Sequence, residues 1–392
     1  MEQPIKIDLK DRKLDHIKIC NERNVEASAT TLLENVMIEH MALPENDLDD
    51  IDTRVYFLNK KINAPLMIAA MTGGHPTAAK INEELAKIAE KYTIPIGVGS
   101  QRAAIEHPRL AWTFKVVREN APSVPVIANL GAPQFSRGYS VKEAEEAVQM
   151  IEADALAVHL NPLQEAFQLE GDNWYKDVLV KIKELNDSLP VPVILKETGT
   201  GISYTVARTS YNLGIKYFDV SGLGGTNWGK VEAIRATLKG IKEAPMRING
   251  FGDFWGIPTA FSILSTRIAA PDSTIIASGG IRNGLDIARS IALGADLAAM
   301  ALPILRILLH RGRSGLESFL EQLFYQIKVA VYLSGSRNID QLKCSPNILL
   351  SGELLGLLKQ LLHQVKPDAD IITSLTLIKC VNKLEVPNGW RL

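Results

Sequence analysis

Eight short apolar runs alternate with amphipathic, helix-type patterns along this 392-residue chain. Apolar runs without a polar face are typical of parallel strands, which are buried on both sides. Alternation with helices predicts a parallel sheet, and eight repeats over about 240 residues predict an α/β fold closed as a (β/α)8 TIM barrel. The predicted strands are residues 64–71, 94–100, 125–130, 155–160, 192–197, 217–222, 273–279 and 296–301.

Three regions are expected along the chain. Residues 1–63 form an N-terminal extension, residues 64–335 form the barrel with a closing helix over 315–334, and residues 336–392 form a C-terminal segment. The tail from residue 367 is left open as disordered or as an added segment. The Gly-rich stretch 223–256 follows the sixth strand, has one helical pattern over 230–242, and predicts a lid over the catalytic face.

Composition excludes several classes of function. The formal net charge is −1, which gives no broad attraction to nucleic acid or to an anionic membrane. The most apolar tract, Leu297–Leu305, is too short to span a bilayer, and the N-terminus lacks the apolar core of a secretory signal. Three scattered cysteines without a CxxC pair argue against a zinc site. We expect a cytoplasmic protein with no nucleic-acid or membrane partner.

The segment His159-Leu-Asn-Pro-Leu-Gln-Glu165 follows the fourth predicted strand. The carboxyl ends of barrel strands share one face, which is where barrel active sites lie. An imidazole, two amides and a carboxylate at this face suit an anionic substrate together with Mg²⁺ bound through oxygen. The alternative is that these polar groups only cap the helix that follows.

Two groups of residues are candidates for binding phosphate. Ser278-Gly-Gly-Ile-Arg282 lies after the seventh strand, where glycine N–H groups and a nearby helix N-terminus commonly hold phosphate in barrels. A glycine turn without a ligand is the alternative. Arg12-Lys13-x-x-His16 in the extension could join Arg102 and clamp a diphosphate, although an exposed basic cluster is more often only a solvated surface.

Lys196 ends the fifth predicted strand and brings a positive charge to the barrel mouth. It could form a Schiff base, support the charge of an electron-rich flavin ring, or simply reach solvent. Asn129 and Ser100 on neighbouring strands suit the edge of a planar heterocycle, and the Thr72-Gly73-Gly74 turn suits close backbone approach to its face. Together these residues favour flavin mononucleotide (FMN).

Six ordered motifs carry a resemblance to a known family. They are Arg12-Lys13-x-x-His16, Ala70-Met-Thr-Gly73, Gly99-Ser-Gln-Arg102, His159-Leu-Asn-Pro-Leu-Gln-Glu165, Lys196-Glu197 and Ser278-Gly-Gly-Ile-Arg282. In this order and spacing the chain resembles the type 2 isopentenyl diphosphate isomerases, from about Arg12 to about Gly352. The likeness is lost after Leu362.

The resemblance implies an enzyme that interconverts isopentenyl and dimethylallyl diphosphates with Mg²⁺ and reduced FMN, for which NADPH is the reductant, and that forms a homo-oligomer, a tetramer or an octamer. It implies that Gln164 and His159 are catalytic and that Glu165 binds the metal. The implied substrate-binding residues are Arg12, Lys13, Gln101, Arg102 and Gln164. The implied FMN-binding residues are Ala70, Met71, Thr72, Gly73, Ser100, Asn129, Lys196, Ser221, Thr226, Gly280, Arg282, Ala301 and Leu302.

The chemistry of such an isomerase explains this set of parts. Protonation of an unactivated alkene gives a tertiary carbocation that water would quench, so the reaction needs a dry barrel mouth beneath a lid. An electron-rich flavin would stabilise the cation and could exchange the protons through its own ring nitrogen. Gln164 is an amide and a weak acid or base, so we expect it to position or relay. Trp228 could close over the alkene or only pack within the lid.

Three other functions are weaker matches to the sequence. An FMN barrel that oxidises a hydroxy acid needs a His base near the flavin, and no His lies near the sixth or seventh strand ends. An IMP-dehydrogenase-like enzyme needs a nucleophilic Cys, and none lies between the first and eighth strands. A sensor that binds flavin or phosphate without catalysis would not need Glu165 beside Gln164 and His159.

Overall fold

A closed barrel of eight parallel strands forms the centre of the molecule in a computed structural model, which describes residues 9–345 and 347–365. The strands pair in chain order, and the eighth pairs with the first through Ala298 opposite Leu66 and Met300 opposite Ile68. The barrel strands are Leu66–Ile68, Ile96–Gly97, Val126–Gly131, Ala155–Leu160, Val193–Glu197, Tyr217–Asp219, Thr274–Ala277 and Leu297–Met300. The predicted fold class is confirmed, and each observed strand lies within or within one residue of its predicted run.

The helices surround the barrel as the alternating pattern predicts. Their apolar stripes pack on the outer faces of the strands, and the largest group of buried side chains lies in this layer. The helices with eight or more residues are Leu9–Glu22, Pro76–Tyr92, Trp112–Asn120, Val141–Met150, Val178–Ser188, Tyr204–Asn212, Trp228–Leu238, Thr259–Ala269, Gly284–Ala292, Leu302–Leu333 and Gly352–Val365. Shorter helical turns are Leu33–Asn35, Leu48–Asp50, Arg102–Glu106, Pro108–Leu110, Ala132–Ser136, Pro162–Phe167, Ala244–Arg247, Phe251–Phe254 and Ile339–Cys344.

The stretch 223–256 is more helical than the sequence pattern predicts. It contains the helix Trp228–Leu238 and the short helices Ala244–Arg247 and Phe251–Phe254. The expected long loop is therefore wrong in detail, because Gly and Pro in the second half hide two single-turn helices. The predicted helix over 315–334 is the second half of Leu302–Leu333, which bends at Gly312, where φ is 66°.

A hairpin closes the amino end of the barrel. Strands Val55–Phe57 and Lys60–Ile62 pair antiparallel, and Phe57 and Ile62 join the side chains that fill the barrel interior. Lys60 Nζ lies 2.7 Å from Asp154 Oδ1, just before the fourth strand. The open end of the barrel is therefore the carboxyl end, where barrel active sites lie.

The two ends of the described chain pack together on the side of the barrel. Strand Val36–Ile38 of the extension pairs antiparallel with Ile348–Leu350, so the predicted extension and C-terminal segment share a small sheet. The helix Leu9–Glu22 contacts both Trp228–Leu238 and Leu302–Leu333. The predicted tail from residue 367 lies outside the described residues. Among the described residues, we find no helix that is both long enough and apolar enough to cross a bilayer.

Candidate active site

A deep cleft occupies the carboxyl end of the barrel and holds about 1530 Å³ of empty space, its open mouth included. Residues at the ends of all eight strands line the cleft, and Arg12, Lys13, His16, Ile17 and Cys20 of the N-terminal helix form one wall. The barrel strands and the N-terminal helix therefore both contribute side chains to the candidate site.

Nearly all of the residues selected from the sequence meet in this cleft. The lining includes both predicted catalytic residues, the predicted metal ligand, three of the four other substrate residues and twelve of the thirteen FMN residues. They are Arg12, Lys13, Ala70, Met71, Thr72, Ser100, Arg102, Asn129, His159, Gln164, Glu165, Lys196, Ser221, Thr226, Gly280, Arg282, Ala301 and Leu302. Gln101 and Gly73 are not part of the lining.

Gln101 is fully buried behind the cleft wall. Its Nε2 donates to the carbonyl oxygen of Ala147 at 2.8 Å, and its Oε1 accepts from the backbone N–H of Asn129 at 3.0 Å. Both polar atoms of the amide are thus used, and the bond to Asn129 connects the loop after the second strand to the third strand. The structure places Gln101 as a support for Asn129, outside the lining of the cleft.

Gly73 packs against a side chain of the protein. A Cβ at this position would lie 2.0 Å from Cε1 of Phe114, so only glycine fits against this buried ring. The next residue, Gly74, has φ 76° and donates its N–H to Thr113 Oγ1 at 2.9 Å. The tight turn was predicted for close approach to a flavin, but its glycine is required by the Phe114 contact.

The loop after the seventh strand has the geometry of an anion site. Gly279 and Gly280 have φ of 97° and 77°, a backbone conformation that favours glycine. Helix Leu302–Leu333 begins beside them, and its N-cap Ala301 makes no side-chain cap to the free N–H groups. Arg282 contacts Glu26 of the extension. Free N–H groups and a guanidinium at one point suit a phosphate.

A second basic cluster in the lining of the cleft is formed by Arg12, Lys13 and Arg102. Burial and the nearby charges of Arg12 and Arg102 lower the pKa of Lys13 to about 8. Arg102 is held by Glu106 Oε1 at 2.7 Å and by Asp172 Oδ2 at 2.7 Å. Three cations this close repel one another, so a multiply charged anion would relieve the repulsion.

His159 is a neutral, buried ring. Burial and the charges of Lys196 and Lys13 lower its pKa to about 3. Its Nδ1 lies 2.8 Å from Asn129 Oδ1, and Asn129 Nδ2 donates to the carbonyl of Val98 at 3.0 Å. Asn129 Oδ1 is thus the acceptor, so Nδ1 carries the ring proton and Nε2 is left as an acceptor. His159 can accept a hydrogen bond but does not act as a cation near neutral pH.

Gln164 and Glu165 are fixed by the first turn of the helix that follows the fourth strand. Asn161 Nδ2 donates to Gln164 Oε1 at 3.1 Å and to Glu165 Oε1 at 2.7 Å. Glu165 Oε2 accepts from the backbone N–H of Asp172 at 2.7 Å. Burial raises the pKa of Glu165 in spite of these bonds. A nearby cation, such as a bound metal ion, would stabilise the charged form of this buried carboxylate.

Glu232 is a site residue that the sequence analysis missed. It lies on helix Trp228–Leu238, is 1% exposed, and accepts hydrogen bonds from Gln164 Nε2 at 3.0 Å and from His16 Nε2 at 2.8 Å. Burial alone would raise the pKa of Glu232, but His16, Gln164 and Arg235 together hold it well below its usual range. The available signal was Glu232 with Arg235 at i, i+3 on the apolar face of a helix.

Thr72 offers a direct observation on what the cleft binds. Its hydroxyl oxygen is buried and has no hydrogen-bond partner within residues 9–345 and 347–365. Most buried polar groups have a partner, and an unpaired one needs an explanation. Thr72 lies in the cleft lining near Ser100 and Asn129, so the polar edge of a bound heterocycle would satisfy it. Among the described residues, no cluster of three or more Asp, Glu, His or Cys side chains could hold a metal ion by itself.

Comparison with known proteins agrees with this geometry. A profile of the FMN-dependent dehydrogenase family matches residues 176–349. An isopentenyl-diphosphate delta-isomerase of Aeropyrum pernix is 51% identical over 342 residues, which cover 87% of this chain and 90% of that protein. The enzyme of the same name from Metallosphaera sedula is 47% identical over 347 residues, covering 88% and 93%.

Solved structures support the fold alone. A mutant flavocytochrome b2 with pyruvate bound superposes with a TM-score of 0.63 at 16% identity, over 87% of this chain and 84% of that one. A mandelate oxidase mutant superposes with a TM-score of 0.60 at 15% identity, over 87% and 94%. The two delta-isomerases, in contrast, match nearly the whole chain at close to half of all positions. The chain therefore belongs to the isopentenyl-diphosphate delta-isomerase family, in its type 2, flavin-barrel form.

Proposed function

We propose that this chain interconverts isopentenyl and dimethylallyl diphosphates, with reduced FMN and Mg²⁺ bound in the cleft and NADPH as the reductant of the flavin. The observation that carries the proposal is the pair of separate anion sites in one cleft. One is the Gly279–Gly280 loop with the start of helix Leu302–Leu333, and the other is the cluster of Arg12, Lys13 and Arg102. A flavin phosphate and a substrate diphosphate need two such sites.

The residues around the first anion site fit FMN. The phosphate would bind to the Gly280 loop, to Arg282 and to the N–H groups at Ala301 and Leu302. The unpaired hydroxyl of Thr72 and the charge of Lys196 would face the ring system. When bound and reduced, FMN supplies an electron-rich surface that stabilises positive charge on the substrate.

Glu165 would hold Mg²⁺ together with the substrate. Among residues 9–345 and 347–365 it is the one carboxylate in the lining of the cleft, so the other ligands would be diphosphate oxygens and water, as is common for Mg²⁺. Asn161 and the N–H of Asp172 keep both of its oxygens in place. The metal would thereby join the protein to the diphosphate held by Arg12, Lys13 and Arg102.

Gln164 and His159 would position the alkene and exchange hydrogen bonds near it. The Gln164 amide is fixed at both ends, by Asn161 and by Glu232, so it cannot rotate freely. His159 presents an acceptor nitrogen because Asn129 holds its proton on Nδ1. Neither group is a strong acid, and each would orient the reacting carbons or relay a proton.

The walls of the cleft would protect the carbocation from water. Ile17 of the N-terminal helix and Leu302 and Leu305 of helix Leu302–Leu333 are among the residues that line it. Trp228 also lines the cleft and packs edge-on against His16, with ring centroids 5.2 Å apart. Apolar walls and an aromatic face suit a short branched alkene that carries transient positive charge.

Binding measurements test the two-site arrangement that carries this proposal. FMN is titrated into the protein by fluorescence, and inorganic diphosphate with Mg²⁺ is titrated by calorimetry, each with the other ligand absent and saturating. Both ligands are expected to bind together, and Arg102→Met should weaken diphosphate binding at least tenfold with little change for FMN. Mutual exclusion of the two ligands would contradict the proposal. The homo-oligomer and the cytoplasmic location stay predictions.

A further inference from the structure

We propose that Asp219 is a positioning residue that holds the Lys196 ammonium in place and balances its charge at the flavin end of the cleft. The inference rests on the proposed FMN binding. Lys196 and Asp219 lie directly opposite each other on the fifth and sixth barrel strands. Lys196 lines the cleft, whereas Asp219 lies behind it and is not part of the lining.

The contacts of Asp219 leave Lys196 as the main partner of its charge. Its Oδ2 lies 3.4 Å from Lys196 Nζ, and its side chain is 1% exposed. The same Oδ2 has no hydrogen-bond partner among the residues that the structure describes, while Oδ1 accepts from the Ser278 hydroxyl. A buried carboxylate costs free energy unless a counter-charge accompanies it. The burial of this carboxylate is therefore explained by its role as the counter-charge of Lys196.

Lys196 has one further contact, which fixes its direction. Its Nζ donates to the backbone carbonyl of Glu197 at 2.7 Å. The positive charge of Lys196 still acts within the cleft. After burial, it is the largest cause of the lowered pKa of His159. Asp219 thus keeps the net charge of the Lys196–Asp219 pair close to zero. It also limits the positive electrostatic potential that a flavin beside Lys196 would meet. A change of one charge at this range acts strongly in a poorly solvated site.

The reduction potential of bound FMN tests this role, because a merely structural carboxylate would not move it in a defined direction. Asp219→Asn keeps the shape of the side chain and an acceptor for Ser278 but removes the charge. The expected result is a shift on the order of tenfold toward reduced FMN, or about 30 mV more positive for a two-electron couple. Lys196→Gln should shift the equilibrium in the opposite direction, and the double variant should return toward the wild-type value.

Asp296→Asn is the matched control. This carboxylate precedes the eighth strand at the amino end of the barrel, where it pairs with Arg267 and Lys343. Its variant should leave the potential unchanged. If Asp219→Asn does not fold, Asp219→Ser makes the same comparison.

Two results would overturn the inference. One is an unchanged potential with FMN bound to the Asp219 variant, and the other is a shift in the direction of Lys196→Gln. A wild-type protein that binds no FMN would overturn the proposed function itself, and every variant would then lack flavin as well, which distinguishes the two failures.

Discussion

His16 and Glu232 are 216 residues apart in sequence, yet His16 Nε2 lies 2.8 Å from Glu232 Oε1. The same oxygen of Glu232 accepts the amide of Gln164 at 3.0 Å. Burial lowers the pKa of His16, so its ring is neutral near pH 7 and donates to the carboxylate through Nε2–H. The N-terminal helix, helix Trp228–Leu238 and the end of the fourth strand are thereby joined at one buried carboxylate behind the cleft wall.

Glu232→Gln should lower kcat on the order of 100-fold, because it changes the acceptor that fixes Gln164 and His16, and small displacements at a reacting centre have effects of this size. FMN affinity should change little, since the hydrogen bonds of Glu232 are to His16, Gln164 and Arg235 and not to the Gly279–Gly280 loop. Initial rates under anaerobic reducing conditions and a fluorescence titration of FMN measure the two effects. Asp15→Asn, which contacts the same Arg235 but not Gln164, is the control. Equal losses in both variants would contradict a specific role for Glu232.

Gln101→Met should destabilise the fold without affecting substrate affinity. It removes two buried hydrogen bonds and leaves the Asn129 N–H and the Ala147 carbonyl without these partners, at a cost of about 1–3 kcal/mol in the free energy of unfolding. Arg102→Met, at the adjacent position, should raise KM and leave stability nearly unchanged. Urea unfolding and steady-state kinetics measure the pair. A raised KM in Gln101→Met with unchanged stability would show that the amide contacts the substrate.

Lys13 should give the reaction an upper pH limit. Its lowered pKa of about 8 means that the ammonium is present below that pH and is lost as pH rises through it. Because only the ammonium binds diphosphate, kcat/KM should fall above pH 8, whereas Lys13→Arg, which stays charged, should keep its value to higher pH. A pH profile between 6.5 and 9.5 makes the comparison. Coinciding profiles for the two proteins would exclude Lys13 as the titrating group.

Glu165→Gln should abolish tight Mg²⁺ binding while the protein stays folded. A neutral amide is a weaker ligand for a hard cation, so the Mg²⁺ concentration for half-maximal activity should rise at least tenfold. Protons compete with Mg²⁺ for Glu165, and its raised pKa extends this competition to a higher pH than for an ordinary carboxylate, so the same concentration should rise in the wild type as pH falls. Glu106→Gln, a carboxylate on Arg102, is the control. An unchanged Mg²⁺ requirement in Glu165→Gln would place the metal elsewhere.

The barrel could be predicted from the sequence because each of its strands is an apolar run between amphipathic helices. Ala155–Leu160 was predicted with both of its ends, since Asp154 and the polar segment from His159 mark them. Pairing of Val36–Ile38 with Ile348–Leu350 had no such signal, because two three-residue strands that are far apart in sequence carry no period that links them. The short helices Ala244–Arg247 and Phe251–Phe254 were missed for a similar reason, because four residues are too few to show a 3.6-residue period.

The site was predictable where polar residues follow strands, as with His159, Gln164 and Lys196. It was not predictable where a charge lies inside an element, as with Asp219 inside the predicted strand 217–222 and Glu232 in the middle of a helix. Gln101 shows the opposite limit. A polar residue after a strand end was expected to face the ligand, yet Gln101 precedes helix Arg102–Glu106 and its side chain bonds to Ala147 and Asn129 behind the cleft wall.

The most direct test of the account is isomerisation by the purified protein in deuterated water. Isopentenyl diphosphate is added with Mg²⁺ to the FMN-loaded protein, reduced anaerobically with NADPH in one sample and left oxidised in another, and the product is analysed by mass spectrometry. The account predicts dimethylallyl diphosphate that carries deuterium in the reduced sample and no product in the oxidised one. A reduced, FMN-loaded protein that forms no dimethylallyl diphosphate would contradict it.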